Sequence, residues 1–412
     1  MLPHSIIRRP FARALLAAIF LFAGPSAATA DAAFQQWLAG LWPQAQGLGV
    51  SRQTFEAATR GLEPDLSLPD LDLPGRAPPG QPEFVQSPTE YLSETSIARL
   101  ADQGRQLAVE HRATLAAIER EFRVPGNVVL AIWGRETAYG TYKLPYNAVR
   151  VLATQGYIGK RKEKFREEFL LALKILSEGH VKLADMRSSW AGAMGLTQFL
   201  PSEFYKYAVD FDGDGKRNIW TSVPDALASA AKQLVGKGWQ PGTRWAYEVR
   251  MPRNLDCTIG VPEVKKPIRE WIAQGFVPTY GRKLGPEELA EEASLLLPEG
   301  TYGPAFLATK NYFVLKDYNF SDLYVLFVGH LGDRIVDPRP FETPWGKVAM
   351  LKTADVETMQ RYLTERGIYR DKIDGKAGML TRSAVGQYQK ANGLALDCWP
   401  TVSLLRQMRI GN

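Results

Sequence analysis

Apolar residues recur at helical spacing through Ile97, Leu100, Leu107, Leu115, Ile118 and Phe122, with charged residues between them. The pattern resumes in residues 128–140, after Pro125 and Gly126, a pair that suits a helix start. A helical run of this length commits the middle of the chain to helices packed on helices. Within it Val129, Ile132, Trp133 and Glu136 fall on one face, since Glu136 lies seven, four and three positions after the other three. A carboxylate therefore sits on an apolar stripe. Either Glu136 marks the edge of an ordinary core helix and reaches solvent or an arginine, or it is held in an apolar cleft as an acid that works near neutral pH.

A second stretch differs in kind. Residues 189–202 read Ser-Trp-Ala-Gly-Ala-Met-Gly-Leu-Thr-Gln-Phe-Leu-Pro-Ser, with small residues at 191, 192, 193 and 195. Small residues let a backbone approach another segment or a ligand closely, and Ser189, Thr197 and Gln198 place hydrogen-bonding groups beside them. A tight helix crossing and a binding site are both compatible with this run. Next comes Asp210-Phe-Asp-Gly-Asp-Gly-Lys-Arg-Asn-Ile-Trp220, in which Asp210, Asp212 and Asp214 occupy positions 1, 3 and 5 of an EF-hand-like loop and Gly215 position 6. Position 12 is Thr221 rather than a bidentate glutamate, and Asp225 is the nearest later carboxylate. Calcium and a rigid Asp/Gly turn remain alternatives.

The ends of the chain are organised differently. Arg8 and Arg9, an apolar run and Ala28-Thr-Ala30 read as a secretory signal peptide over residues 1–30, too short in its apolar part to span a bilayer. No cysteine follows it as a lipid-attachment site, so a soluble exported protein without a lipid anchor is expected. Its loss removes three arginines and no acids, taking the formal charge from +6 to +3, too little for a nucleic-acid footprint. Cys257 and Cys398 would meet an oxidising space and can pair there, but they lie far apart and in different modules, which leaves the bond open. Prolines crowd residues 63–88, as in an extended surface segment. Residues 346–352 read as a linker, and residues 353–412 as a small module of three helices.

Four motifs then coincide in order: Ala131-Ile-Trp-Gly-Arg-Glu136-Thr, the run from Ser189 to Phe199, Asp212-Gly-Asp-Gly-Lys-Arg-Asn-Ile-Trp220, and Asn311-Tyr-Phe-Val-Leu-Lys-Asp-Tyr-Asn-Phe-Ser-Asp-Leu-Tyr324. Together they resemble the membrane-bound lytic transglycosylase B family of murein-cleaving enzymes. The tail, with Asp374-Gly-Lys-Ala-Gly and Thr381-Arg-Ser-Ala-Val-Gly-Gln-Tyr-Gln389, is similar to peptidoglycan-binding helical modules. The resemblance implies a mainly α fold: an α+β lysozyme-like catalytic domain with small β elements over residues 31–345, plus the three-helix module. It implies non-hydrolytic cleavage of the β-1,4 bond between N-acetylmuramic acid and N-acetylglucosamine, leaving 1,6-anhydro ends. Glu136 would be the catalytic acid/base, and Ser189, Gln198, Tyr312 and Tyr318 would line the cleft. No cofactor would be required, and a structural calcium at Asp210, Asp212, Asp214 and Asp225 is the one candidate ion. The expected location is the periplasm, and the expected partner is the peptidoglycan strand. A hydrolytic muramidase and a non-catalytic wall-binding scaffold are the rival readings. On this view, removing the tail should weaken sacculus retention more than turnover of soluble strands.

Overall fold

The computed structural model describes residues 27–73, 86–260, 264–346 and 348–410. The signal segment up to residue 26 and the stretch 75–80 lie outside the described residues. Of the described residues 53% are helical and 7% lie in strands, which bears out the mainly α reading.

Three helices far apart in sequence make the central core. Glu94–Glu110, Gly126–Thr137 and Asp322–Val336 pack on one another. Between them they bury Ile97, Leu100, Val129, Ile132, Val325 and Leu331. The stretch that follows Pro125 is apolar on nearly every side, and the helix is accordingly enclosed: residues 129–134 are all buried. A second core lies beneath Ala148–Ile158, Lys162–Ser177 and Pro201–Tyr207, with Phe165, Phe169, Phe199 and Phe204 inside it.

Besides a two-stranded pairing of Tyr146–Asn147 with Arg187–Ser188, the described residues hold a five-stranded antiparallel sheet in the order Lys266–Pro267, Glu292–Leu296, Ala305–Ala308, Ala246–Arg250, Val277–Pro278. Its middle strand, Ala305–Ala308, is buried at every residue because both faces are covered. Leu296 and Phe306 face the helical core, while Leu295, Leu307 and Tyr247 face a third core with Cys257 and Trp271.

The C-terminal module is Thr353–Glu365, Met379–Ala391 and Val402–Ile410 around Met359, Leu363, Val385 and Leu405. Buried Gln360 locks its glycine turn: its side-chain oxygen accepts the amides of Asp374 and Gly375, and its nitrogen donates to Thr381 Oγ1 at 3.0 Å. The module folds back onto the larger part of the chain and is fastened there. Cys257 and Cys398 form a disulfide with Cα atoms 6.1 Å apart, which resolves the pairing that sequence separation left open. Lys390 pairs with Asp256, the Thr301 amide donates to the Asp397 carbonyl, and Met379 enters the central core.

The connecting segment is pinned along its length. The amides of Glu342 and Thr343 donate to Glu248, and the Gly346 amide donates to Glu299 Oε2 at 2.6 Å. Glu299 is fully buried, and burial pushes its carboxyl up to about 7 although the Gly346 amide pulls the other way. The folded-state value thus lies above the unfolded one, so the native chain keeps a proton that the unfolded chain releases. Stability from this group is complete below pH about 4.5 and is lost as pH rises through about 7, by up to about 3 kcal/mol at 1.36 kcal/mol per unit. Melting temperature should fall between pH 5.5 and 8, and Glu299→Gln should flatten that slope; an unchanged slope would exclude Glu299 as its source.

Candidate active site

The helix Gly126–Thr137 ends abruptly. Ala138, Tyr139 and Gly140 take φ of 47°, 57° and 77° in succession, so the chain turns back at once beside Glu136. Gly134 makes room for that turn: a Cβ there would lie 2.6 Å from Tyr139 Cζ. Left-handed backbone at two non-glycine residues costs energy that the surrounding packing must hold. Tyr139 helps hold it, since its hydroxyl donates to the Leu100 carbonyl at 2.9 Å.

The small-residue run is locked onto this helix end. Buried Thr137 donates to the Leu196 carbonyl at 2.9 Å and accepts the Gly140 amide at 3.2 Å. Gly195 lies against the next motif, with φ of 74° and a would-be Cβ 2.6 Å from the Ile219 carbonyl oxygen. The Leu196 amide donates to that same oxygen at 2.9 Å. The chain therefore stacks three sequence motifs in a row: the aspartate turn supports the small-residue loop, and the loop supports the end of the Glu136 helix.

Two tyrosines from the fourth motif close the arrangement. Tyr324 donates its hydroxyl to Glu136 Oε1 at 2.5 Å, and Tyr318 donates to the Thr197 carbonyl at 2.6 Å. Their rings stack at 6.1 Å with 9° between planes. Burial, and then the negative charge of Glu136, pushes both phenols well above 10, so each stays a neutral hydrogen-bond donor. Glu136 itself is half-buried at the edge of the core. The neighbouring Arg135 turns to another face, its guanidinium over Tyr91 and Phe327 at 4.7 and 4.9 Å. A further acid felt at Tyr318 is Glu203, but its oxygens accept from the Leu200 amide at 3.2 Å and Gln233 Nε2 at 3.0 Å, so it works as a helix cap.

Glu136, Tyr318 and the loop of Ser189 and Gln198 come together. Ser189 Oγ accepts the amides of Ala191 and Ala193, and Gln198, at φ of 57°, donates to the Gly195 carbonyl. Both side chains brace their own loop. Tyr312, expected to line the cleft, is fully buried instead, with its hydroxyl on Asp322 at 2.7 Å. It carries an apolar ring on a helix whose inner face needs one, and sequence spacing alone does not separate it from Tyr318. Tyr324 ends the fourth motif, and the sequence does not mark it as a site residue; it stands in the first turn of a helix capped by Ser321.

The aspartate turn gathers three of its four expected ligands. Carboxylate oxygens of Asp210, Asp212 and Asp214 lie within 4.8 Å of one another and are exposed. Asp225 is not among them. It is fully buried and turned inward, where it accepts the amides of Phe211, Asp212 and Asn218 at 2.8, 3.2 and 2.7 Å. The carboxylate set suits a hard cation, but only three of the four residues fit it. A cavity of about 580 Å³ opens at the opposite end of the Glu136 helix, by Pro125 and Val128, and is separate from these groups.

Comparison with known proteins agrees with the geometry. Residues 33–333 match the family described as Transglycosylase SLT domain, and residues 352–407 match a peptidoglycan binding domain. Membrane-bound lytic murein transglycosylase B of Escherichia coli K12 is 32% identical over 219 residues, 52% of this chain and 58% of that protein, so the match spans little more than half of that relative. SltB3 from Pseudomonas aeruginosa, solved with NAG-NAM-pentapeptide, superposes with a TM-score of 0.79 at 36% identity, over 91% of this chain and 99% of that one. The same protein has been solved with NAG-anhNAM-pentapeptide, at a TM-score of 0.77. An Escherichia coli lytic transglycosylase solved with calcium aligns at a TM-score of 0.51 and 27% identity, over 61% and 78% of the two chains.

Proposed function

The chain belongs to the transglycosylase SLT domain family, and from that membership we propose that it is a lytic murein transglycosylase of the periplasm, exported by its first 30 residues and acting on peptidoglycan. The observation that carries the reading is the Tyr324 hydroxyl 2.5 Å from Glu136 Oε1, where the first and fourth motifs meet beside the small-residue loop.

In this reading one carboxyl serves twice. Protonated Glu136 gives its proton to the glycosidic oxygen as the bond to muramic C1 breaks, and the N-acetylglucosamine end leaves as an alcohol. The C6 hydroxyl of the same muramic residue then attacks C1. Its proton returns to the Glu136 carboxylate, which regenerates the acid. No water is consumed, and the new end is a 1,6-anhydro ring. Two-carboxylate glycosidases need a second, ionised carboxylate to activate water or attack the sugar; here the substrate supplies the nucleophile. Tyr324 holds the carboxylate in place for both transfers, and the acetamido oxygen of the substrate can share the positive charge developing at C1. The relative solved with an anhydro muropeptide supports that product.

Mass analysis of muropeptides released from purified sacculi tests the reading. Anhydro ends, lighter than reducing ends by one water, are the expected result. Reducing ends would establish a muramidase, and intact sacculi a scaffold.

Calcium, if it binds, takes the three-carboxylate set of Asp210, Asp212 and Asp214, while Asp225 holds the loop shut from inside. Because the turn supports the small-residue loop, millimolar calcium should raise the melting temperature by a few degrees, as ligand binding to the native state does. Asp212→Asn combined with Asp214→Asn should remove the response. A melting temperature indifferent to calcium would exclude the ion.

A further inference from the structure

Asp322 is the first residue of the helix Asp322–Val336, two positions before Tyr324. Its carboxylate is almost fully enclosed and ties three elements together. Oδ1 accepts the Tyr312 hydroxyl at 2.7 Å and Lys316 Nζ at 2.5 Å, both from the helix Lys310–Tyr318 that also carries Tyr318. Oδ2 accepts Arg382 Nη2 at 3.0 Å, and Arg382 belongs to the C-terminal module. The side chains of the Arg382–Asp322 pair are 9% and 8% exposed. Arg382 is fixed in turn by Nη1 on the Ala377 carbonyl at 2.7 Å.

We propose, on the reading that this chain is a transglycosylase, that Arg382 is a positioning residue for the reaction: from the tail module it clamps Asp322, and so sets the start of the helix that delivers Tyr324 to Glu136. The C-terminal module then completes the active site as well as gripping the wall. The physics is that of a buried ion pair. Removing Arg382 leaves Oδ2 without its partner and Lys316 as the remaining cation on the buried carboxylate, on Oδ1 alone. The relief open to Asp322 is water from the cavity of about 460 Å³ between the two modules, which Asp322, Arg382, Lys316 and Phe320 line. Moving toward it draws the first turn of the helix, and Tyr324 with it, away from Glu136.

The test is a double-mutant cycle in the full chain, on soluble glycan strands. Arg382→Ala should lower kcat roughly tenfold with KM changed less than about twofold, since a misplaced catalytic contact costs rate more than binding. Arg382→Lys should restore kcat to within about threefold, because the cation returns. In a Tyr324→Phe background Arg382→Ala should cost less than about twofold more, as coupled residues do not add. Losses that multiply in the double variant, or full kcat in Arg382→Ala, would overturn the proposal. If Arg382→Ala does not accumulate folded, Arg382→Met, which keeps the bulk of the side chain but not its cation, carries the same cycle, with the same loss expected. A wild-type chain that leaves strands uncut would refute the transglycosylase reading instead.

Discussion

Glu136→Gln is expected to abolish the lysis of sacculi and to leave their binding to the protein unchanged. The substitution keeps the shape of the side chain and its acceptor oxygen, so the Tyr324 hydroxyl retains a partner at the position it now holds 2.5 Å from Oε1. What is lost is the exchangeable proton. An amide can neither protonate the leaving oxygen nor take the proton from the C6 hydroxyl, so both halves of the reaction fail together. General acid–base catalysis contributes about 10²–10⁴-fold, and loss of both transfers from one group belongs at or beyond the upper end. The fold should not register the change, because the helix end is held by Thr137, Tyr139 and Gly134 and not by the carboxylate charge. Turbidity loss of a sacculus suspension measures the activity, and pelleting measures the binding. Unchanged lysis would remove Glu136 from the mechanism, and lost binding would show that its carboxylate grips the strand.

Removal of residues 350–412 is expected to abolish turnover of soluble strands along with sacculus retention. A tail read as a tethered binding unit leads to the opposite expectation, that retention suffers first. The difference comes from how the tail is attached. Truncation withdraws Met379 from the central core, strips Arg382 from buried Asp322 and leaves Cys257 without its partner. Breaking a buried pair by removing one member costs up to about 3–5 kcal/mol, and less here because Lys316 stays on Asp322. The disulfide closes a loop with a sequence separation of 141 residues, and a loop of roughly that length is worth about 4–5 kcal/mol in chain entropy. Together these rival the whole stability of an ordinary domain, about 5–15 kcal/mol. Thermal melts should show the truncated chain unfolding far below the full chain, and kcat on soluble strands should fall by at least about tenfold. A truncated chain with full turnover on soluble strands would show the catalytic domain to be independent of its tail.

The residues of the site were legible to very different degrees. Glu136 could be found because a carboxylate at +3, +4 and +7 from apolar residues is a local pattern, readable within two turns of one helix. The small-residue run could be found because glycine and alanine at such density have few uses away from a close backbone approach, and Gly195 makes one against Ile219. Tyr324 could not be singled out: its partner lies 188 residues earlier, and nothing within one helix turn of it signals that distance. Tyr312 and Tyr318 look alike in sequence, six residues apart on one helix, yet one is sealed on Asp322 and the other reaches the Thr197 carbonyl. Asp225 reads as a metal ligand when carboxylates are counted along the chain. In three dimensions its nearest donors are three backbone amides, and they claim it.

Local spacing thus decided the helices and the tail module and marked Glu136 and the small-residue loop as candidates, because apolar periodicity and turn chemistry act between residues a few positions apart. The order of the four motifs was enough to suggest the family. Which tyrosine meets the acid, whether Cys257 finds Cys398, and whether the tail hangs free or clamps Asp322 were settled by packing. Those contacts join segments separated by 60 to 188 residues, and they form only once burial makes an unpaired charge or hydroxyl too costly to leave alone.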